Sequence, residues 1–130
     1  MAQSHSHTPI RWPLAVGALL GLTGVILGAY GAHGLQATAA QQASWATAVQ
    51  YQLVHALALL IIGVWSMHQP RVWLGWAAGL MSAGVVLFSG SIYGLVLDGP
   101  RVLGPVTPLG GVALILGWLA LLIAGLRDDG

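Results

Sequence analysis

The chain contains no lysine, no glutamate and no cysteine. Its charged side chains are Arg11, Arg71, Arg101, Arg127, Asp98, Asp128 and Asp129, or 5% of 130 residues. Ordinary globular domains carry roughly 25%. A water-soluble domain needs a charged, hydrated surface to stay dispersed, and this composition cannot build one. The missing cysteines exclude disulfides and thiolate metal sites. A net charge of +1 leaves no electrostatic footprint for nucleic acid, so no nucleic-acid partner is expected.

What is present is apolar. Hydrophobic residues make up 57% of the chain and mean hydropathy is +0.83. The few ionic residues separate uncharged segments from Pro13 to Tyr30, Trp45 to Met67, Val72 to Leu97 and Pro108 to Leu126. Each approaches or exceeds the roughly 20 residues that an α-helix needs to cross about 30 Å of hydrocarbon. Inside lipid the backbone must satisfy its own hydrogen bonds, and the alternation of barrel strands is absent. The expected fold is all-α: an integral membrane four-helix bundle of two antiparallel hairpins. Its helices are expected at about 13–31, 45–67, 72–97 and 108–126. They form one domain over 13–127, with a disordered polar head at 1–12 and a tail at 128–130.

Arg11 before an apolar run, followed by Ala37-Thr38-Ala39, also resembles a secretory signal. The run is longer than the 7–15 residues of a signal's apolar core, so it is read as a spanning helix. His5 and His7, in the polar head, are read as terminal residues and not as a metal site. Between the first two helices, LQATAAQQAS is too polar for hydrocarbon but favours helix. It is expected as a surface helix or as an extension of the second helix. The stretch DGPRVLGPVTP, with its three prolines, is expected to be non-helical and to cap the bundle.

Four crossings bring Arg11, Arg71 and Arg127 to one side and leave Arg101, with Asp98, on the other. The positive-inside rule then places both termini in the cytoplasm. Trp12, Trp65 and Trp73 fall at the inner boundary, as an aromatic belt would. Tyr30 and Trp45 are expected at the outer one.

Gly17, Gly21, Gly24, Gly28 and Gly31 lie on one face of the first helix. Such stripes let helix backbones approach closely in lipid. Gly79 with Ala83, and Gly90 with Gly94, are comparable pairs on the third helix. GVIL at Gly24 recurs as GVVL at Gly84, and LALLIIG at Leu57 recurs as LALLIAG at Leu119. These matches point to a parallel internal repeat of about one hairpin.

The segment YQLVHALALLIIG, from Tyr51 to Gly63, sets Gln52 and His55 in an apolar run. At 1.5 Å per residue, His55 falls near the bilayer midplane. Folding the second and third helices as a hairpin at Gln69-Pro70 puts His55 level with Ser82 to Gly84, and Tyr51 with Phe88 and Ser89. An ionisable group at this depth is expensive and marks a candidate site. Three readings stay open. A neutral imidazole can hold helices together by hydrogen bonds, in which case His55→Leu would strand a serine or carbonyl on the third helix. It can bind a ligand or handle protons. Or it can ligate a metal or haem. Zinc needs three or four ligands and His33 is the only second histidine nearby in sequence, so no metal site is assigned. Haem needs only one or two axial histidines, so haem stays open. No nucleophile–base–acid set appears, and no catalytic residue is assigned.

GAYGAHGL (28–35), YQLVHALALL (51–60), LFSGSIYGL (87–95) and TPLGGVALILGWLAL (107–121), in that order, resemble one family. It is the YgdD/YwdK-like family of small inner-membrane proteins, domain of unknown function 423, with a relative in animal mitochondria. The resemblance extends from about Leu14 onward. It implies four membrane helices and no particular reaction. The positions matching a shared site would be His33, Tyr51, Gln52, His55, Ser89, Ser91, Tyr93 and Thr107. The chain departs from the family in its first loop, where charged residues are usual and ATAAQQA stands here.

Two functions from different classes follow. One is a non-enzymatic accessory subunit packed in the bilayer beside a larger membrane complex, which would account for bulky Trp118 halfway along the last helix. The other is a lipid-, quinone- or haem-binding protein or minor transporter built on the His55/Tyr51 face, although no cofactor is assigned. The orientation is directly testable, because the chain has no native cysteine to interfere. Gln3→Cys should resist, and Pro100→Cys should accept, a membrane-impermeant thiol reagent added outside intact cells. The reverse pattern inverts the orientation, and labelling of both overturns the four-crossing topology.

Overall fold

A computed structural model describes residues 8–127, as four helices and no strand. They are α1 (Trp12–His33), α2 (Ala39–His68), α3 (Val72–Val96) and α4 (Leu103–Leu126). All four are long and apolar enough to cross a membrane. The chain is a four-helix membrane bundle in which α1 packs on α2, α2 on α3 and α3 on α4. Residues 1–7 and 128–130, including His5, His7 and most of the expected head and tail, lie outside the described residues.

Helix α2 begins at Ala39, six residues before the expected start, so LQATAAQQAS is mostly an extension of α2. Thr38 explains the position. Its hydroxyl accepts from the Gln41 amide at 3.1 Å, and Gln41 Oε1 accepts from the Thr38 amide at 3.0 Å. This reciprocal capping box satisfies two amides that would otherwise be orphaned.

Helix α4 also starts early, at Leu103, which corrects the expectation that residues up to Pro108 are non-helical. Pro105 is the third helical residue, where an amide hydrogen has no intrahelical partner in any case. Pro108 removes one backbone bond, to the carbonyl of Gly104 four residues earlier. One lost bond is outweighed by the need to keep the remaining backbone satisfied on entering lipid. The turn before it closes in a Schellman arrangement: the Gly99 amide donates to Gly94 O at 2.7 Å, and Asp98 takes the left-handed position at φ 65°.

The α1 glycines face α2. A Cβ at Gly17 would lie 2.8 Å from Ala56 O, one at Gly24 2.7 Å from Leu53 Cδ2, and one at Gly31 2.5 Å from Trp45 Cδ1. Gly21 and Gly28 look onto Ala56 and Val49 from slightly farther. On α3, a Cβ at Gly94 would crowd Leu103, but Gly79 and Gly90 have nothing within 4 Å. Gly90 is therefore not a packing residue, because it lies on the exposed side of α3. Trp45 is corrected as well: it is 2% exposed, seated against Gly31, and is no belt residue.

The two hairpins make corresponding contacts at offsets of 60 for the first helix and 61 for the second, one short of the 62 that separates LALLIIG from LALLIAG. Gly24 meets Leu53 as Gly84 meets Leu114, displaced by 60 and 61 positions. Gly17 lies against the Ala56 carbonyl as Gly117 lies against that of Ala77, with the glycine now on the second helix of its hairpin. Gly28 and Val49 correspond in the same way to Phe88 and Gly110.

Between the helices, at the end bearing Arg71 and Arg127, Leu59, Ile62, Leu74, Ala77, Met81 and Ala124 form an apolar core. Arg71 straps that end shut by donating to Ala124 O at 2.8 Å and to the Arg127 carbonyl. A side chain at Gly110 would collide with the Phe88 backbone nitrogen, and backbone cannot swing aside as a side chain can. Gly110→Ala should therefore destabilise the bundle by about 1–3 kcal/mol, the usual range for overpacking. Gly90→Ala should be neutral or stabilising, because alanine favours helix by up to about 1 kcal/mol. Unfolding of both variants in bicelles measures this, and equal behaviour would refute the packing account.

Candidate functional site

Most polar side chains of the bundle interior gather in the half away from the arginine strap; Ser66, which accepts from the Ile10 amide at 3.0 Å, is buried at the strap end. Gln52, 3% exposed, is the centre of the main group. Its Nε2 donates to Leu20 O at 2.9 Å and to Thr23 Oγ1 at 2.8 Å, and its Oε1 accepts from Tyr93 Oη at 2.7 Å. Thr23 in turn donates to Leu19 O. The amide thus uses both donors and an acceptor to join α1, α2 and α3. Gly24 makes room for it: a Cβ there would sit 3.4 Å from Nε2. The Tyr93 ring lies 4.7 Å from that of Trp45, whose indole donates to Leu27 O at 2.8 Å.

His55, 4% exposed, lies one turn farther along α2. Trp118 Nε1 is 2.9 Å from its Nε2, and its Nδ1 is 2.6 Å from Tyr51 O. An indole nitrogen can only donate, so Nε2 must accept and Nδ1 must carry the proton. The imidazole is then neutral, with both nitrogens engaged. This corrects the expected partner. His55 binds α4 through Trp118, not a serine on α3, because the indole reaches across where the α2 and α4 backbones stay apart. It also gives Trp118, 45% exposed, a role inside the chain. Ser82, expected level with His55, makes no bond to it; its Oγ is buried without a partner among the described residues.

The other predicted residues divide. Ser89 Oγ donates to Ala48 O at 2.7 Å, tying α3 to α2. Ser91 bonds Thr107, tying α3 to α4. Tyr51 is 42% exposed; its ring meets that of Phe88 tilted at 33° with centroids 4.6 Å apart, and it serves His55 through its backbone carbonyl. His33, exposed at the end of α1, is not brought to this cluster. Among the described residues, no three His, Asp or Glu side chains lie close enough to hold a metal ion. Sequence reasoning missed Thr23 and the pairing role of Trp118. Thr23 could have been found, as the only hydroxyl or amide side chain between Pro13 and Ala29, beside a glycine of the packing stripe.

Gln52→Leu would strand the Tyr93 hydroxyl, and the expected loss is about 1–3 kcal/mol of stability. His55→Leu and Trp118→Phe each break the same bond. Combined, they should fall short of additivity by about 0.6 kcal/mol, the average for interhelical hydrogen bonds in membranes. Unfolding in bicelles reads the cycle; strict additivity would mean that the bond contributes nothing.

Comparison with known proteins places this chain in a family. Residues 27–111 match the family described as "Protein of unknown function (DUF423)". A UPF0382 membrane protein of Staphylococcus aureus (strain bovine RF122 / ET3-1) is 45% identical over 119 residues, covering 90% of this chain and 97% of the relative. Relatives of the same name from Staphylococcus epidermidis (strain RP62A) and Staphylococcus haemolyticus (strain JCSC1435) are 43% and 44% identical over the same shares of each chain. No solved structure matches. The chain belongs to the DUF423 family of membrane proteins.

Proposed function

We propose that the protein is a non-catalytic accessory subunit that packs beside a larger membrane protein in the bacterial cytoplasmic membrane, both termini facing the cytoplasm. The observation that carries this reading is that the buried intramembrane polar groups, Ser82 excepted, are engaged with one another or with backbone carbonyls. Gln52, Tyr93, Thr23, His55, Trp118, Ser89, Ser91 and Thr107 are spent on one another or on backbone carbonyls. A catalytic or transport site needs groups left free to meet a substrate, and this interior presents hydrogen bonds already made. The three arginines at the termini and second loop support the orientation.

A haem or other ligand at His55 would have to displace Trp118 from Nε2 before an imidazole lone pair became available. That requirement weighs against the small-molecule reading at this position. The partner proposal is tested by extracting a tagged chain at native expression level into lipid nanodiscs. A membrane protein in stoichiometric amount, retained through size exclusion and absent from an untagged control, is the expected result. A monodisperse particle of this chain alone would overturn it.

A further inference from the structure

The bond between His55 and Trp118 exists only while His55 is neutral. Trp118 Nε1 can only donate and the proton on His55 Nδ1 is spent on Tyr51 O, so the bond rests on the Nε2 lone pair. A proton on Nε2 turns that acceptor into a donor, and two N–H groups then face each other at 2.9 Å. One must leave. The imidazole is held within its own helix by Tyr51 O, so the indole is the group that moves.

The surroundings give the proton a way in and the indole a way out. A hollow of about 240 Å³ beside His55 is lined by Gln50, Tyr51, Val54 and His55 itself, polar and roomy enough for water. It leads outward: Gln50 is five residues before His55 on α2, about 7.5 Å nearer the end of the bundle away from the Arg71 strap. Toward the strap end, Trp118 borders a second, apolar hollow of about 450 Å³ with Leu121, Leu122 and Gly125. The indole is already half exposed and can turn into that space.

No ion pair competes for the proton. None of the four helices contains aspartate, glutamate, lysine or arginine. Their titratable side chains besides His55 are Tyr30 and His33 at the outer end of α1, Tyr51 and His68 on α2, and Tyr93 on α3, which Gln52 holds; α4 has none. A charged imidazole is met by the Tyr51 ring, stacked on it at 6.1 Å, and by water in the hollow. The other ties between helices end on carbonyls or hydroxyls: Gln52 on Leu20 O and Thr23, Ser89 on Ala48 O, Ser91 on Thr107. Acid leaves those acceptors unchanged.

We infer that His55 and Trp118 form an acid-operated latch between α2 and α4, closed while His55 is neutral and opened by a proton on Nε2, which turns the indole toward lipid and lets α4 draw away from α2 while the other ties hold. The test needs no partner protein. The full chain, its tryptophans isotope-labelled, is placed in bicelles, and its indole N–H signals are followed by NMR from about pH 7.5 to about pH 4, a span that covers histidine titration in proteins. Trp118 is identified by the signal missing from Trp118→Phe. As pH falls, that signal should shift and begin to exchange with water, while the signal of Trp45, bonded to Leu27 O, stays in place. Spin labels at Leu57→Cys and Leu119→Cys, both exposed positions, should report a wider α2–α4 separation over the same range, reversed on neutralisation. His55→Gln offers an acceptor that does not titrate and should hold both readings constant. If His55→Gln does not fold, Trp118→Phe, which has no indole N–H to expel, should show a separation that pH does not change. A Trp118 signal unmoved across the range, loss of all indole signals together, an unchanged α2–α4 separation, or a wild-type pH response in the folded variant would each overturn the inference.

Discussion

In a bilayer, apolar side chains gain nothing by exchanging lipid tails for each other, so burial alone does not bring helices together. Everything that joins these four must come from close backbone approach or from bonds that lipid cannot offer. The chain uses both in one place. Gly24 removes the side chain that would hold α1 away, and in the space so opened Gln52 reaches a carbonyl and a hydroxyl of α1 while holding Tyr93 of α3. Without that approach the Gln52 amide would be an unpaired polar group in hydrocarbon, a cost of several kcal/mol.

The remaining ties repeat the scheme at each helix pair. Trp45 fits against Gly31 and bonds a carbonyl of α1, Ser89 reaches α2, and Ser91 and Thr107 meet between α3 and α4. His55 and Trp118 cover the wider α2–α4 gap with two large rings in place of close backbones. Each bond is modest, but leaving either partner alone in lipid is unfavourable, so pairing specifies which helix faces which.

Helix number and type were legible because 20-residue uncharged runs admit almost no other structure in lipid. The ends were less so. Hydropathy stops at Trp45, whereas α2 starts where Thr38 and Gln41 cap it, a signal written in polar residues. Proline content argued against helix before Pro108, but membrane entry makes an unsatisfied backbone costlier than one lost bond. Within the site, Ser91, Tyr93 and Thr107 came only from the family resemblance, whereas Gln52, His55 and Ser89 could be found as polar residues in apolar runs. Their partners could not, because a hairpin estimate aligns α2 with α3 and cannot see that an indole of α4 reaches His55. Gly90 failed for a related reason: small-residue spacing marks a face without saying whether another helix lies on it.

The uneven division of the bundle into a bonded half and an apolar half has a mechanical side. Hydrogen bonds have direction and a short range, so a helix sliding by one turn, about 5.4 Å, would break every tie in the bonded half. Apolar side chains in the other half can exchange neighbours more easily, and there the Arg71 strap, the Ile10–Ser66 bond and the close contacts of Gly17 and Gly117 check them. The molecule is thus built like tongs with a riveted joint at one membrane face and a latch at the other. Lateral pressure from the bilayer would be taken up as splaying near the latch, with the axial register of the joint unchanged.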